Sequence, residues 1–203
     1  MEHTIDSDRI HHAWDHTLEP SLRISTGDTV SYELLMAGHG QVREGDSFAD
    51  TRFDFDTLYN LLGPLHVEGA RAGDTLRVDI LELTPGDWGW CVILPELGTL
   101  PEDFAGEYLR TFDLRNGESA ELAPGVRIPF SPFLGTMGTH PDGSEGASAF
   151  PPHKGGATST PAISPPAPPC GSQCGARARC SRAEIRTRCR VTVRCVWPGW
   201  SAT

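Results

Sequence analysis

Apolar and polar residues alternate with period two through two similar stretches, "RISTGDTVSYELL" from Arg23 and "ARAGDTLRVDILEL" from Ala70. In the first, Val30, Tyr32 and Leu34 oppose Ser31 and Glu33; in the second, Leu76, Val78 and Ile80 oppose Arg77 and Asp79. That period, with its β-branched residues, predicts half-buried antiparallel strands. Each run is preceded by a Gly-Asp pair, Gly27-Asp28 and Gly73-Asp74. Gly accepts a positive φ and Asp bonds its own backbone, so the pair predicts a turn before each strand. Val30, Tyr32, Val78 and Ile80 are expected to point inward.

Further along, "WGWCVILPELG" is a short apolar run bounded by glycine and proline, the pattern of a strand buried on both faces. In "EYLRTFDLRNGE" Tyr108, Arg110, Phe112 and Leu114 lead to Asn116-Gly117, a hairpin signal. The best helical candidate is "FDFDTLYNLL", residues 53–62, with Phe55, Leu58, Tyr59 and Leu62 on one face and Pro64 as its stop. The fold class this predicts is mainly β: antiparallel sandwich-like sheets, few short helices, and a disordered or non-native C-terminal tail.

The tail is set apart by composition. Up to Gly156 there are 26 Asp and Glu against 10 Lys and Arg, with one cysteine, Cys91. After it come seven arginines, one acid (Glu184), and Cys170, Cys174, Cys180, Cys189 and Cys195. Two parts follow: a β domain over residues 1–156 and a Pro/Arg/Cys-rich tail over 157–203. The cysteine spacings lack the paired C-x2-C of a zinc module. An acidic body argues against nucleic acid and anionic membrane as partners, since both bind basic patches. The charged start shows no signal-peptide core, no run reaches membrane-helix length, and the body has a single cysteine, so a cytoplasmic location is expected.

Candidate chemistry concentrates in a few places. His11, His12, Trp14, Asp15 and His16 crowd polar groups around one indole. Such a cluster suits a solvated N-terminal segment, or a metal or substrate site, because imidazole and carboxylate are ligands that zinc accepts. His66 and Glu68 are two apart on a predicted strand and face the same side. They fit either an exposed strand face or a pair that binds a metal or shares a proton. Gly135 and Gly138 around Met137 suggest close backbone approach to a ligand or a neighbouring strand. Cys91 reads as packed and inert.

Taken in order, "HHAWD", "GPLHVEGARAGDTLRVDILEL", "DWGWCVILP", "PFLGTMG" and "PPHKGG" resemble segments of the acetamidase/formamidase family across residues 9–156. The resemblance implies a hydrolase that cleaves the carbon–nitrogen bond of a short linear amide such as formamide or acetamide. It also implies a divalent metal, zinc or calcium, a small amide as substrate, and a homo-oligomer. Carried onto this chain, Glu68 and Asp15 become catalytic candidates. Trp14, Gly135 and Gly138 become substrate-binding candidates, and His11 and His66 metal-binding ones. Asp15, Glu68 and His11 are expected to converge on one concavity.

The resemblance stops at Gly156, where the family continues "GNIDTRHLTAG". Back-translated and read from the last base of the Gly156 codon, Ala157, Thr158, Ser159 and Thr160 supply the second and third bases of Gly, Asn, Ile and Asp codons. The series continues into the family's later segments, so the tail reads as family sequence in a shifted frame. Such text carries no selected hydrophobic pattern, and residues 157 to about 190 are expected to lack a packed core of their own. A defective remnant, or a β-sheet protein that binds small molecules without catalysis, is the alternative reading of the chain.

Overall fold

The computed structural model describes residues 1–72, 74–95, 100–130, 132–134, 136–140 and 145–149, together with the backbone of residues 156–158, 170–173 and 187–196. The described strands are β1 (Glu2–Ile5), β2 (Ile10–His11), β3 (Ala13–Trp14), β4 (Leu22–Ile24), β5 (Thr29–Leu34), β6 (Leu61–Leu62), β7 (Leu65–Val67), β8 (Thr75–Thr84) and β9 (Trp88–Ile93). They continue as β10 (Tyr108–Asp113), β11 (Ser119–Ala123), β12 (Val126–Pro129), β13 (Thr136–Gly138), β14 (Ala147–Ser148), β15 (Gly156–Thr158), β16 (Cys170–Gln173) and β17 (Thr187–Val196). Among the described residues the helical content is a single 3-10 turn, Phe48–Asp50.

A five-stranded sheet in the order β1-β5-β17-β8-β16 forms the main layer. β17 runs antiparallel to both neighbours, with Val191 opposite Val30 on β5 and Val193 opposite Val78 on β8. β1 joins β5 in parallel, and β4 pairs with β7 in parallel. The inner face of the sheet supplies Val30, Tyr32, Leu34, Leu76 and Val78 to the core. Facing residues from β4, β6, β7 and β13, among them Ile24, Leu62, Leu65, Val67 and Met137, close it as the second layer of a sandwich. The mainly β, sandwich-like expectation holds.

Both predicted turns form, and by the same bonds. Asp28 accepts the Ser25 N–H on its carboxylate at 2.9 Å while its own N–H donates to the Ser25 carbonyl at 3.0 Å. Asp74 repeats this with Arg71, at 2.8 and 3.0 Å. Gly27 takes a φ of 92°, in the region that favours glycine; Gly73 lies outside the described residues. β5 and β8 start directly after these turns. Asp28 is also bonded by the Met1 ammonium and, at 3.0 Å, by His3 Nε2, so a single carboxylate ties β1 to the start of β5.

Four expectations change. Ile80 shares the face of Val78 but is 44% exposed, whereas Val30, Tyr32 and Val78 are buried as expected. Beyond it the register shifts: Val191 is opposite Ile80 but Arg190 is opposite Glu82, so Leu81 is an extra residue on β8. A bulge of this kind resets the alternation, so that Leu83 and not Glu82 packs against the core. Residues 53–62 form turns followed by β6 instead of a helix. The Asp54 carboxylate accepts the Asp56 N–H at 3.0 Å and the Thr57 hydroxyl at 2.8 Å, a local alternative to helical bonding. β9 is half-buried and Cys91 is exposed, because β9 and β10 form a separate two-stranded sheet that stands away from the main core. The Asn116-Gly117 turn is present, yet β10 pairs with β9 and β11 with β12.

The described backbone of the tail pairs with strands of the preceding domain. β15 pairs with β13, and β16 and β17 add to the main sheet. The remaining tail residues lie outside the described ones.

Two measurements follow. Leu65 is fully buried in the core. Leu65→Ala should cost about 2–5 kcal/mol in chemical unfolding, and Ile80→Ala, at a position 44% exposed, less than about 1 kcal/mol. Equal costs would contradict the exposure of Ile80. The ammonium, the Ser25 N–H and His3 hold the Asp28 carboxyl well below the usual carboxylate range. A folded pKa depressed from about 3.9 stabilises above that value and loses its contribution as pH falls through the folded one. The melting-temperature gap between the wild-type chain and Asp28→Asn should therefore be largest near neutral pH and narrow below about pH 4.

Candidate active site

The N-terminal histidine segment is held against the sandwich by short pairings. β2 pairs with β6, placing His11 opposite Leu61, and β3 pairs with β14, placing Trp14 opposite Ala147. Trp14 is 3% exposed and packs with Leu61 and Ala149 in a small core of its own, with Tyr59 and Ala147 at its edge. The indole thus fixes the backbone that carries the histidines and Asp15.

Each side chain then has a defined setting. His11 donates from Nδ1 to the Ala13 carbonyl at 2.8 Å, which leaves the lone pair of the neutral ring on its buried Nε2. His12 donates from Nδ1 to the Tyr59 carbonyl at 2.9 Å. Asp15 Oδ1 accepts the Thr17 hydroxyl at 2.7 Å and the Thr17 N–H at 2.8 Å. These bonds, with smaller help from His16 and His140, hold its carboxyl below the usual range, so it is an anion at neutral pH.

His140 belongs to this group although the sequence reading passed over it. Its ring centroid lies 5.1 Å from that of His16, at an interplanar angle of 53°. It is 4% exposed, and its Nε2 has no hydrogen-bond partner among the described residues. It follows β13, in which Thr136, Met137 and Gly138 are all buried. The available signal was its position in "TMGTH", two residues beyond the glycine already singled out. Gly138 lies in β13 paired with β15, which accounts for its close backbone neighbour; Gly135 lies outside the described residues.

His66 and Glu68 do face the same side, with His66 Nε2 3.8 Å from Glu68 Oε2. Arg23 reaches Glu68 Oε1 at 3.3 Å from the neighbouring strand. Glu68 is half exposed and meets Arg23 and His66, while Asp15 is bonded by Thr17 and feels the charge of His16 and His140. No group of three or more His, Cys, Asp or Glu side chains able to hold a metal occurs among the described residues. No helix among them is long and apolar enough to cross a membrane.

Behind Tyr59 lies an apolar cleft of about 460 Å³, lined by Met36, Phe55, Leu58, Tyr59, Trp90 and Phe112, among others. Trp90 Nε1 donates to the Ala37 carbonyl at 3.1 Å. Gly38 sits beneath that indole at φ 65°, where an added Cβ would meet the ring at 3.2 Å. Buried Asn60 donates to the Met36 carbonyl at 2.8 Å. Tyr59 therefore links the wall of this cleft to the histidine segment.

Comparison with known proteins agrees with this architecture. A putative formamidase of Schizosaccharomyces pombe is 31% identical over 140 residues, covering 65% of this chain and 34% of that protein. An acetamidase of Mycolicibacterium smegmatis is 29% identical over 146 residues, covering 64% and 36%. The chain thus spans about a third of these relatives' length. The fold matches the crystal structure of an acetamidase from Bacillus halodurans with a TM-score of 0.81 at 23% identity, over 95% of this chain and 70% of that one. It also matches a gamma lactamase from Delftia acidovorans with a TM-score of 0.82 at 18% identity, over 97% and 68%. The model of the Acetamidase/Formamidase family matches residues 2–150, and the chain belongs to that family.

Proposed function

We propose that the chain is an amidohydrolase that cleaves the carbon–nitrogen bond of a short linear amide, giving a carboxylate and ammonia. The observation that carries this reading is the family match across residues 2–150, which includes the Trp14-Asp15 and Glu68 positions. Names of relatives as formamidase and acetamidase support the substrate class.

The reaction makes three demands: a water must lose a proton as it attacks, the carbonyl oxygen must carry negative charge, and the departing nitrogen must gain a proton. In this reading Glu68 takes the proton from water, as a carboxylate suited to general-base work. Asp15, held ionised by Thr17, supplies fixed negative charge beside the histidines. Trp14 and the backbone at Gly135 and Gly138 shape the substrate site. A divalent metal, zinc or calcium, remains part of the proposal, with His11 and His66 as its candidate ligands; bound there, it would polarise the amide carbonyl. The described residues do not assemble a three-ligand set, so no step is routed through it.

The shifted frame after Gly156 is also proposed, and sequencing the DNA across that codon tests it directly. A homo-oligomer is the proposed assembly.

Ammonia release from formamide and acetamide by the purified chain, and by the chain with the frame restored after Gly156, tests the activity. Turnover is expected from the restored chain, with Glu68→Gln and Asp15→Asn each lowering kcat by about 10²–10⁴-fold. Folded protein in both forms without ammonia release would instead support a remnant or binding protein.

A further inference from the structure

We propose that His140 is the proton donor to the departing nitrogen, with His16 as its connection to solvent; this rests on the amidohydrolase reading above. Three observations on one cluster carry it. The Nε2 of His140 is buried with no partner among the described residues, although a buried polar atom left unbonded is costly. Its ring lies against that of His16, 5.1 Å away between centroids, and His16 is exposed where His140 is 4% exposed. The Asp15 carboxylate interacts with both rings. An inner imidazole, an outer imidazole and a fixed anion beside them form a route by which a proton can reach a buried point and be replaced. Amide hydrolysis needs such a point, because the nitrogen of an unactivated amide does not leave as an anion.

The step balances as follows. Water adds to the carbonyl carbon and its proton passes to the base. The C–N bond of the tetrahedral adduct then breaks with its electron pair on nitrogen, and protonated His140 gives its Nε2 proton to that nitrogen. Ammonia leaves, the carboxylic product remains, the base releases its proton to solvent, and neutral His140 regains one from solvent through His16. The outer ring is a positioning and relay group; the inner ring touches the reacting atom.

The test compares two acyl substrates that differ in what the leaving group requires. Acetamide needs a proton on nitrogen, whereas p-nitrophenyl acetate releases a phenolate that needs none. In the frame-restored chain, His140→Asn should lower kcat for acetamide by about 10²-fold or more, with KM changed less than about threefold, and leave p-nitrophenyl acetate hydrolysis within about threefold. His16→Ala should give a smaller loss in the same direction. Equal losses on both substrates, or none on acetamide, would overturn the assignment.

A second measurement does not depend on turnover or on the variants folding. The ¹⁵N signals of the His140 ring in the unmodified chain are followed as acetamide is added. A shift confined to Nε2 supports the placement, and an Nε2 signal unmoved at saturation overturns it. Protein that hydrolyses neither substrate yet shows the Nε2 shift would contradict the amidohydrolase reading while keeping His140 in a binding site.

Discussion

β5 and β8 are not neighbours: a third backbone, β17, lies between them and bonds to both. With strands spaced about 4.8 Å apart, β5 and β8 stand roughly 10 Å from each other, too far to pair directly. Without the intervening strand, each would present a row of unsatisfied N–H and C=O groups beside the buried Val30, Tyr32 and Val78. The core behind the sheet, and the site carried on the strands that cap that core, depend on this pairing. Ladder bonds are made by the backbone and tolerate most side chains. The proline-free run around Val191, Thr192 and Val193 can therefore occupy the central position.

What the sequence revealed follows from how local each signal was. The Gly-Asp turns and the strands after them were legible because both are set within a few residues, by Asp28 with Ser25 and Asp74 with Arg71. That Leu83 and not Glu82 packs on the core was hidden, since the bulge at Leu81 arises from pairing with a strand more than a hundred residues away. Residues 53–62 had helical spacing, but the Asp54 carboxylate and the pairing of Leu61–Leu62 with Ile10–His11 took the backbone elsewhere. Cys91 read as buried because its run is apolar, yet apolar runs also line half-open clefts.

The site shows the same division. Trp14 and Asp15 were visible as an unusual local cluster, and the structure gives them a rigid frame of two short pairings and a small aromatic core. His66 and Glu68 were placed correctly on one side of their strand, with Arg23 as a partner that sequence distance concealed. His140 could not be read as part of the N-terminal cluster, because about 120 residues separate it from His16. The fold brings it there through β13 and the β3–β14 pairing.

Amide hydrogen exchange across residues 187–196 tests the central claim most directly. If β17 sits between β5 and β8, its amides exchange as slowly as those of Val30 to Leu34 and open with them in one cooperative step. Exchange of residues 187–196 at the rate of an unstructured peptide, with β5 still protected, would contradict the account and place the sheet's central strand elsewhere.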